Sequence, residues 1–257
     1  MQFIGSTKKF GYLAQEAHLA KNSILSAFDL LLKANYYAAL DGYFYSSFFH
    51  LTIGLERLMK LAIVSDYMVK NNLESPGEKY LRSFGHEIDN LYEKMKDFSF
   101  AYGGQQVVTP ESETIDYELL KFLARFAKTS RYYNLNQLGN DTGAKAPLQE
   151  WYEICHGVYQ EHTASAIRER SSMKVFYDMD KSGTYNGFTC HLSFDGHPMQ
   201  LYDIFYLQMV TRKAAPLIIW RIIELFRPIH FLLEKISHRA HGMNPEQEER
   251  AITIPHF

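Results

Sequence analysis

The sequence predicts an all-α fold, mainly a helical bundle of about six to eight helices with one small β-hairpin inserted near 173–195. Three observations carry that expectation. Apolar residues recur three and four positions apart over long stretches. The breaks between those stretches are short and rich in Gly, Asn, Ser and Pro. One region alone is dominated by β-branched and aromatic residues around a turn-forming segment.

In chain order, residues 12–34 place Leu13, Ala17, Ala20, Ile24, Leu25, Phe28, Leu31 and Leu32 at helical spacing, which predicts an amphipathic helix. Asn35 or Asp41-Gly42 breaks it, and a second helix runs to about Asn71. Its apolar residues (Phe44, Phe48, Leu51, Leu55, Leu58, Met59, Ala62, Ile63) wrap most of the circumference, so it is expected at the centre of the bundle. Asn71-Asn72 and Ser75-Pro76-Gly77 form a loop, and a helix follows from about Gly85 to Phe98. Pro110-Glu111-Ser112-Glu113 opens the next helix, its acids near the positive end of the dipole, and that helix reaches about Arg131 or beyond. After Asn140-Asp-Thr-Gly-Ala144, Pro147 sits where a first-turn proline belongs, ahead of a helix to about Arg170.

Met173-Lys-Val-Phe-Tyr-Asp178 and Phe188-Thr-Cys-His-Leu-Ser-Phe194 are the expected hairpin arms. Helices at about 199–212 and 214–241 close the chain, with Pro228 expected to kink or split the last one. No repeat or long linker appears, so a single domain over 1–257 is expected.

Composition narrows the function classes. A 257-residue chain that is 46% hydrophobic and 15% aromatic can bury a large core, which excludes a disordered protein. The formal charge of −2 gives no bulk basic excess for non-specific nucleic-acid binding, but leaves room for a local patch. Two cysteines, Cys155 and Cys190, are too few for a secreted disulfide scaffold and point to a reducing compartment. The N-terminus lacks an apolar signal-type run, and Asp41, Glu56, Arg57, Arg221 and Glu224 interrupt the apolar stretches. A cytoplasmic protein with no membrane association is expected.

Four segments together resemble the HEPN superfamily: Asn35-Tyr-Tyr-Ala-Ala-Leu40, Gly54-Leu-Glu-Arg-Leu-Met-Lys60, Phe84-Gly-His-Glu-Ile-Asp-Asn-Leu91 and Phe126-Ala-Lys-Thr-Ser-Arg-Tyr-Tyr133. The resemblance covers about 10–140, leaving 141–257 as a helical extension with the hairpin. It implies a helical core, a homodimer, and work with RNA or a cognate protein partner in a toxin–antitoxin or phage-defence setting. Ribonucleases of that superfamily carry an Arg separated from a His by about four to six residues. The Arg stabilises phosphate charge and the His handles a proton as the ribose 2′-hydroxyl attacks.

This chain departs from the pattern. Positions five to seven residues after Arg125 hold Ser130, Arg131 and Tyr132, and those after Arg131 hold Asn136, Gln137 and Leu138. Arg250 and His256 have the right spacing but lie in the C-terminal tail, and Arg82 is too close to His86. If the chain cuts RNA, the candidates are Arg131 and Arg125 for phosphate stabilisation and His86 as acid–base. The plainer reading of His86 is a residue that caps the helix start or bonds a neighbouring carbonyl. Lys128, Arg131, Tyr132 and Tyr133 are candidate RNA contacts, because cations bind phosphate and tyrosines stack on unpaired bases. The same residues also suit a helix C-terminus.

No metal or cofactor is expected. His230, Glu234, His238 and His241 fall within an arc of about 80° on one helix face, the basis of a weaker metal-enzyme reading. The polar border of a packed helix explains that stripe without metal. Asp178-Met-Asp180-Lys-Ser182-Gly183 copies half a calcium loop, but Thr189 stands where a bidentate Glu is needed, so a tight turn is expected. His50 is expected in the core. The remaining alternative is a non-enzymatic dimerisation or interaction scaffold, with the hairpin docking a partner.

Overall fold

A computed structural model describes residues 7–36, 41–139, 145–183, 188–194, 197–243 and 254–256. The fold is all-α with one small hairpin. Among the described residues the helices are α1 (Lys8–Lys33), α2 (Gly42–Lys70), α3 (Glu78–Arg82), α4 (Ile88–Tyr102), α5 (Ile115–Lys128), α6 (Tyr133–Gly139), α7 (Pro147–His162), α8 (Ser165–Ser182) and α9 (Leu201–Gly242). A 3₁₀ turn, Ser130–Tyr132, stands between α5 and α6, and strands β1 (Phe188–Leu192) and β2 (Pro198–Gln200) precede α9.

Local chemistry accounts for the helix ends. The Thr7 hydroxyl accepts the Phe10 amide at 3.2 Å to cap α1, and Thr114 does the same for Tyr117 at the start of α5. Thus α5 begins at Ile115 with Thr114 as its cap, not at the Pro110 group. Pro147 opens α7, as its fixed φ and missing N–H favour. Gly183 closes α8 in a left-handed conformation, φ 67°, so the Asp178–Gly183 segment is a helix end with a C-terminal glycine.

The chain forms two compact units. The first comprises Met1–Ala27, Phe48–Lys128 and Ile222–Phe257; the second comprises Phe28–Ser47 and Thr129–Arg221. In the first unit, α2 supplies Phe48, Leu51, Leu55, Met59 and Ile63 to the core, α4 supplies Ile88, Leu91 and Met95, and α5 supplies Leu119, Phe122, Leu123 and Phe126. The ring of Phe48 meets Phe122 and Phe126 edge-on at 4.8 and 5.2 Å. Each fully buried side chain of this kind contributes about 1.5–3 kcal/mol. Gly54 lets α1 and α2 approach: a Cβ there would stand 2.7 Å from Ile24 Cγ1 and 3.0 Å from the Ile24 nitrogen. In the second unit, Trp151, Cys155, Val158 and Tyr159 of α7 join Val175, Met179, Leu207, Val210 and Ile218 in the buried set.

Three expectations are corrected. Met173–Asp178 is helix, the middle of α8, and β1 pairs antiparallel with Pro198–Gln200 instead. A β-branched, aromatic run of six residues does not distinguish strand from helix. Here Val175 and Met179 are buried four apart, and Lys174 pairs with Asp178 at 2.6 Å, both helical relationships. The helix expected to run from Pro147 to about Arg170 ends at His162, and Ser165 starts α8. The two final helices are one 42-residue helix, α9, with Pro216 and Pro228 inside it. Each proline costs a helix roughly 3 kcal/mol, and burial of the flanking Ala214, Ala215, Ile218, Leu225, Phe226 and Ile229 opposes that cost.

Candidate functional site

His86 lies just ahead of α4, two residues before Ile88, with its side chain 78% exposed. Its Nδ1 stands 2.7 Å from Glu56 Oε1 and 3.3 Å from Lys60 Nζ, and Lys60 also pairs with Glu56 at 2.9 Å. Glu56 and Lys60 are one turn apart on α2, so that helix presents both to the same imidazole. Chemically this is a carboxylate-oriented histidine. Such a group can exchange a proton with a ligand in solvent reach.

The two acids that follow His86 at the head of α4 are both partnered. Glu87 accepts from Lys128 and from Asn90, and Asp89 accepts from Lys121 at 3.1 Å. Hydrogen bonding and charge from Glu87 hold the Lys128 ammonium above its ordinary pKa. A phosphate meeting Lys128 therefore competes with a carboxylate already in place. Arg125 is exposed on α5 of the same unit.

Arg131, Tyr132 and Tyr133 belong to the second unit. Arg131 and Tyr132 are exposed in the 3₁₀ turn, with the guanidinium carbon 5.9 Å from the Tyr132 ring centre. Tyr133 is half-buried at the start of α6, and the Asn134 side chain hydrogen-bonds the Tyr45 hydroxyl. The helix that was expected to reach Arg131 ends at Lys128, so these residues occupy a separate turn.

The histidine stripe of α9 is exposed at His230 and His238, and His230 Nε2 is 3.5 Å from Glu234. His241 instead stacks on His256 at 4.0 Å with rings 13° apart, and its Nδ1 donates to the Ser237 carbonyl at 2.7 Å. Stacked imidazoles do not aim lone pairs at a common point. Among the described residues no group of three or more His, Cys, Asp or Glu could hold a metal. Arg250 and the turn at 184–187 lie outside the described residues.

His50 is half-buried beside Phe49, not fully enclosed. Cys155 is fully buried, and burial pushes its thiol far above the ordinary range, which makes it a packing residue and not a nucleophile. Among the described residues no helix is long and apolar enough to cross a membrane.

Sequence reasoning missed Glu56, the partner of His86, and a groove in the second unit. Glu56 was legible only as a polar interruption of an apolar helix. Its pairing across thirty residues has no local signal.

No family model, characterised protein or solved structure matches this chain.

Proposed function

We propose that the chain is a HEPN-like helical protein that holds single-stranded RNA and does not cut it through His86. The observation that supports this reading is the exposed Arg131–Tyr132 pair, guanidinium beside ring at 5.9 Å. Such a pair offers one phosphate contact and one stacking face to an unpaired base. The absence of a histidine from the residues following Arg125 and Arg131 argues against the superfamily's cleavage chemistry. The homodimer and the defence or toxin–antitoxin context belong to the same reading and rest on the resemblance, and the cytoplasmic setting rests on the two cysteines and the interrupted apolar stretches.

Fluorescence anisotropy with a labelled single-stranded oligoribonucleotide tests it. Wild type binds, and Arg131→Ala with Tyr132→Ala weakens binding about tenfold or more, as loss of one stacked base and one phosphate contact requires. Failure of wild type to bind overturns the reading. RNA cleavage that disappears in His86→Ala would instead establish a ribonuclease.

A second reading, the interaction scaffold, draws on α6, where Leu135 and Leu138 are 67% and 85% exposed on one helix face. Leu135→Ser with Leu138→Ser would then abolish self-association in analytical ultracentrifugation while leaving RNA affinity intact.

A further inference from the structure

The second unit contains a half-open groove between α8 and α9, with a volume of about 680 Å³. That volume falls within the roughly 300–1,000 Å³ of small-molecule sites. Val175 and Met179 from α8 and Phe205 and Met209 from α9 give it an apolar lining. Phe205 is 41% exposed, an aromatic ring left open to the groove's mouth. Two methionines give the lining an adaptable, polarisable surface suited to an apolar body of irregular shape.

The rim charges do not cancel. Lys174 is paired with Asp178 at 2.6 Å. Lys213 donates to Ser171 Oγ at 2.6 Å and lies 5.8 Å from the Tyr159 ring centre. Arg212, the third cation of the rim, has no hydrogen-bond or ionic partner among the described residues. A lone guanidinium beside an apolar lining matches a single planar carboxylate, which it engages with two parallel hydrogen bonds. Asp178 on the same rim disfavours a more highly charged head group.

We propose that this groove binds a small amphipathic monocarboxylate, its carboxylate on Arg212 and its apolar body on Val175, Met179, Phe205 and Met209. The site uses neither Arg131 nor His86 and is independent of RNA binding.

Isothermal titration of the full chain with octanoate, and separately with octanamide, tests the proposal. Octanoate binds saturably, and Arg212→Ala weakens it about tenfold or more, the scale of a lost charge-assisted hydrogen bond. Octanamide binds more weakly than octanoate, and Arg212→Ala does not change it. Phe205→Ala weakens both. Both substituted side chains are exposed, so the variants keep the wild-type circular dichroism. Absence of saturable octanoate binding, or an octanoate affinity unchanged in Arg212→Ala, overturns the proposal.

Discussion

His86 Nδ1 and Glu56 Oε1 lie 2.7 Å apart, joining the residue ahead of α4 to the middle of α2. A carboxylate only accepts, so the neutral imidazole carries its proton on Nδ1 and turns Nε2 outward as an acceptor. Lys60 then serves the carboxylate and not the ring. Nitrogen chemical shifts in a long-range imidazole spectrum should show the Nδ1–H tautomer for His86, and Glu56→Ala should remove that preference. An Nε2–H tautomer in wild type contradicts the assignment. Because His86 is 78% exposed, the same substitution should cost no more than about 1 kcal/mol of stability.

Gly54 stands where α1 and α2 approach closely. A methyl group there meets Ile24 Cγ1 at 2.7 Å, the Ile24 nitrogen at 3.0 Å and the Ala20 carbonyl oxygen at 3.1 Å. The isoleucine tip can rotate away, but the two backbone atoms cannot. Replacing a helical glycine with alanine ordinarily gains about 1 kcal/mol. Here overpacking costs about 1–3 kcal/mol and more than cancels that gain. Urea unfolding should therefore show Gly54→Ala less stable than wild type. A more stable variant would mean that α1 and α2 separate without penalty.

How far the residues announce the structure depends on the range of the interaction. The burial of α2 on most of its circumference was legible because Phe48, Leu51, Leu55, Met59 and Ile63 repeat at helical spacing. The proline at the head of α7 was legible for a similarly local reason. The helicity of Met173–Asp178 was not, because a short run of aromatic and β-branched residues suits strand as well, and only Val175 is buried, sharing a face with Met179 one helical turn on. Pro216 and Pro228 likewise signal breaks that the packing of α9 overrides. At the candidate site, His86 was visible as a residue, but its partner Glu56 emerges only when distant segments are brought together, and the same holds for the groove of the second unit that Arg212 borders.

Tyrosines in both units set an alkaline limit. Burial raises Tyr36 and Tyr92, burial followed by the Asp66 carboxylate raises Tyr102, and burial pushes Tyr152 to about 12. The unfolded chain loses these protons near pH 10 while the folded chain keeps them. Stability is thus full below about pH 10 and declines as pH rises above it. Denaturant midpoints between about pH 9 and 11 should fall steadily. The Tyr92 hydroxyl lies 3.1 Å from the Leu225 carbonyl, so Tyr92→Phe should cost about 1 kcal/mol near neutrality and flatten the alkaline slope. An unchanged slope in that variant would show that Tyr92 ionises freely in the fold.

The acid side turns on the C-terminal contact of the first unit. Ser237, fully buried on α9, donates its hydroxyl to the Pro255 carbonyl at 2.7 Å, and Ile254 is buried beside it. Ser237→Ala strands that carbonyl and should cost about 1–2 kcal/mol. Next to it His256 stacks on His241 and lies 5.6 Å from His238 between ring centres. Desolvation, then the neighbouring charges of His241 and His238, lowers the His256 pKa below its ordinary value. A lowered histidine contributes stability above about pH 6.5, where both states are neutral, and loses it as pH falls and the unfolded chain binds the proton first. Comparing unfolding at about pH 7.5 and pH 5.5 should therefore show an acid loss that shrinks in His256→Ala. If the loss is the same in both proteins, the stacked pair does not sense pH, and the buried Ser237–Pro255 bond alone holds the segment.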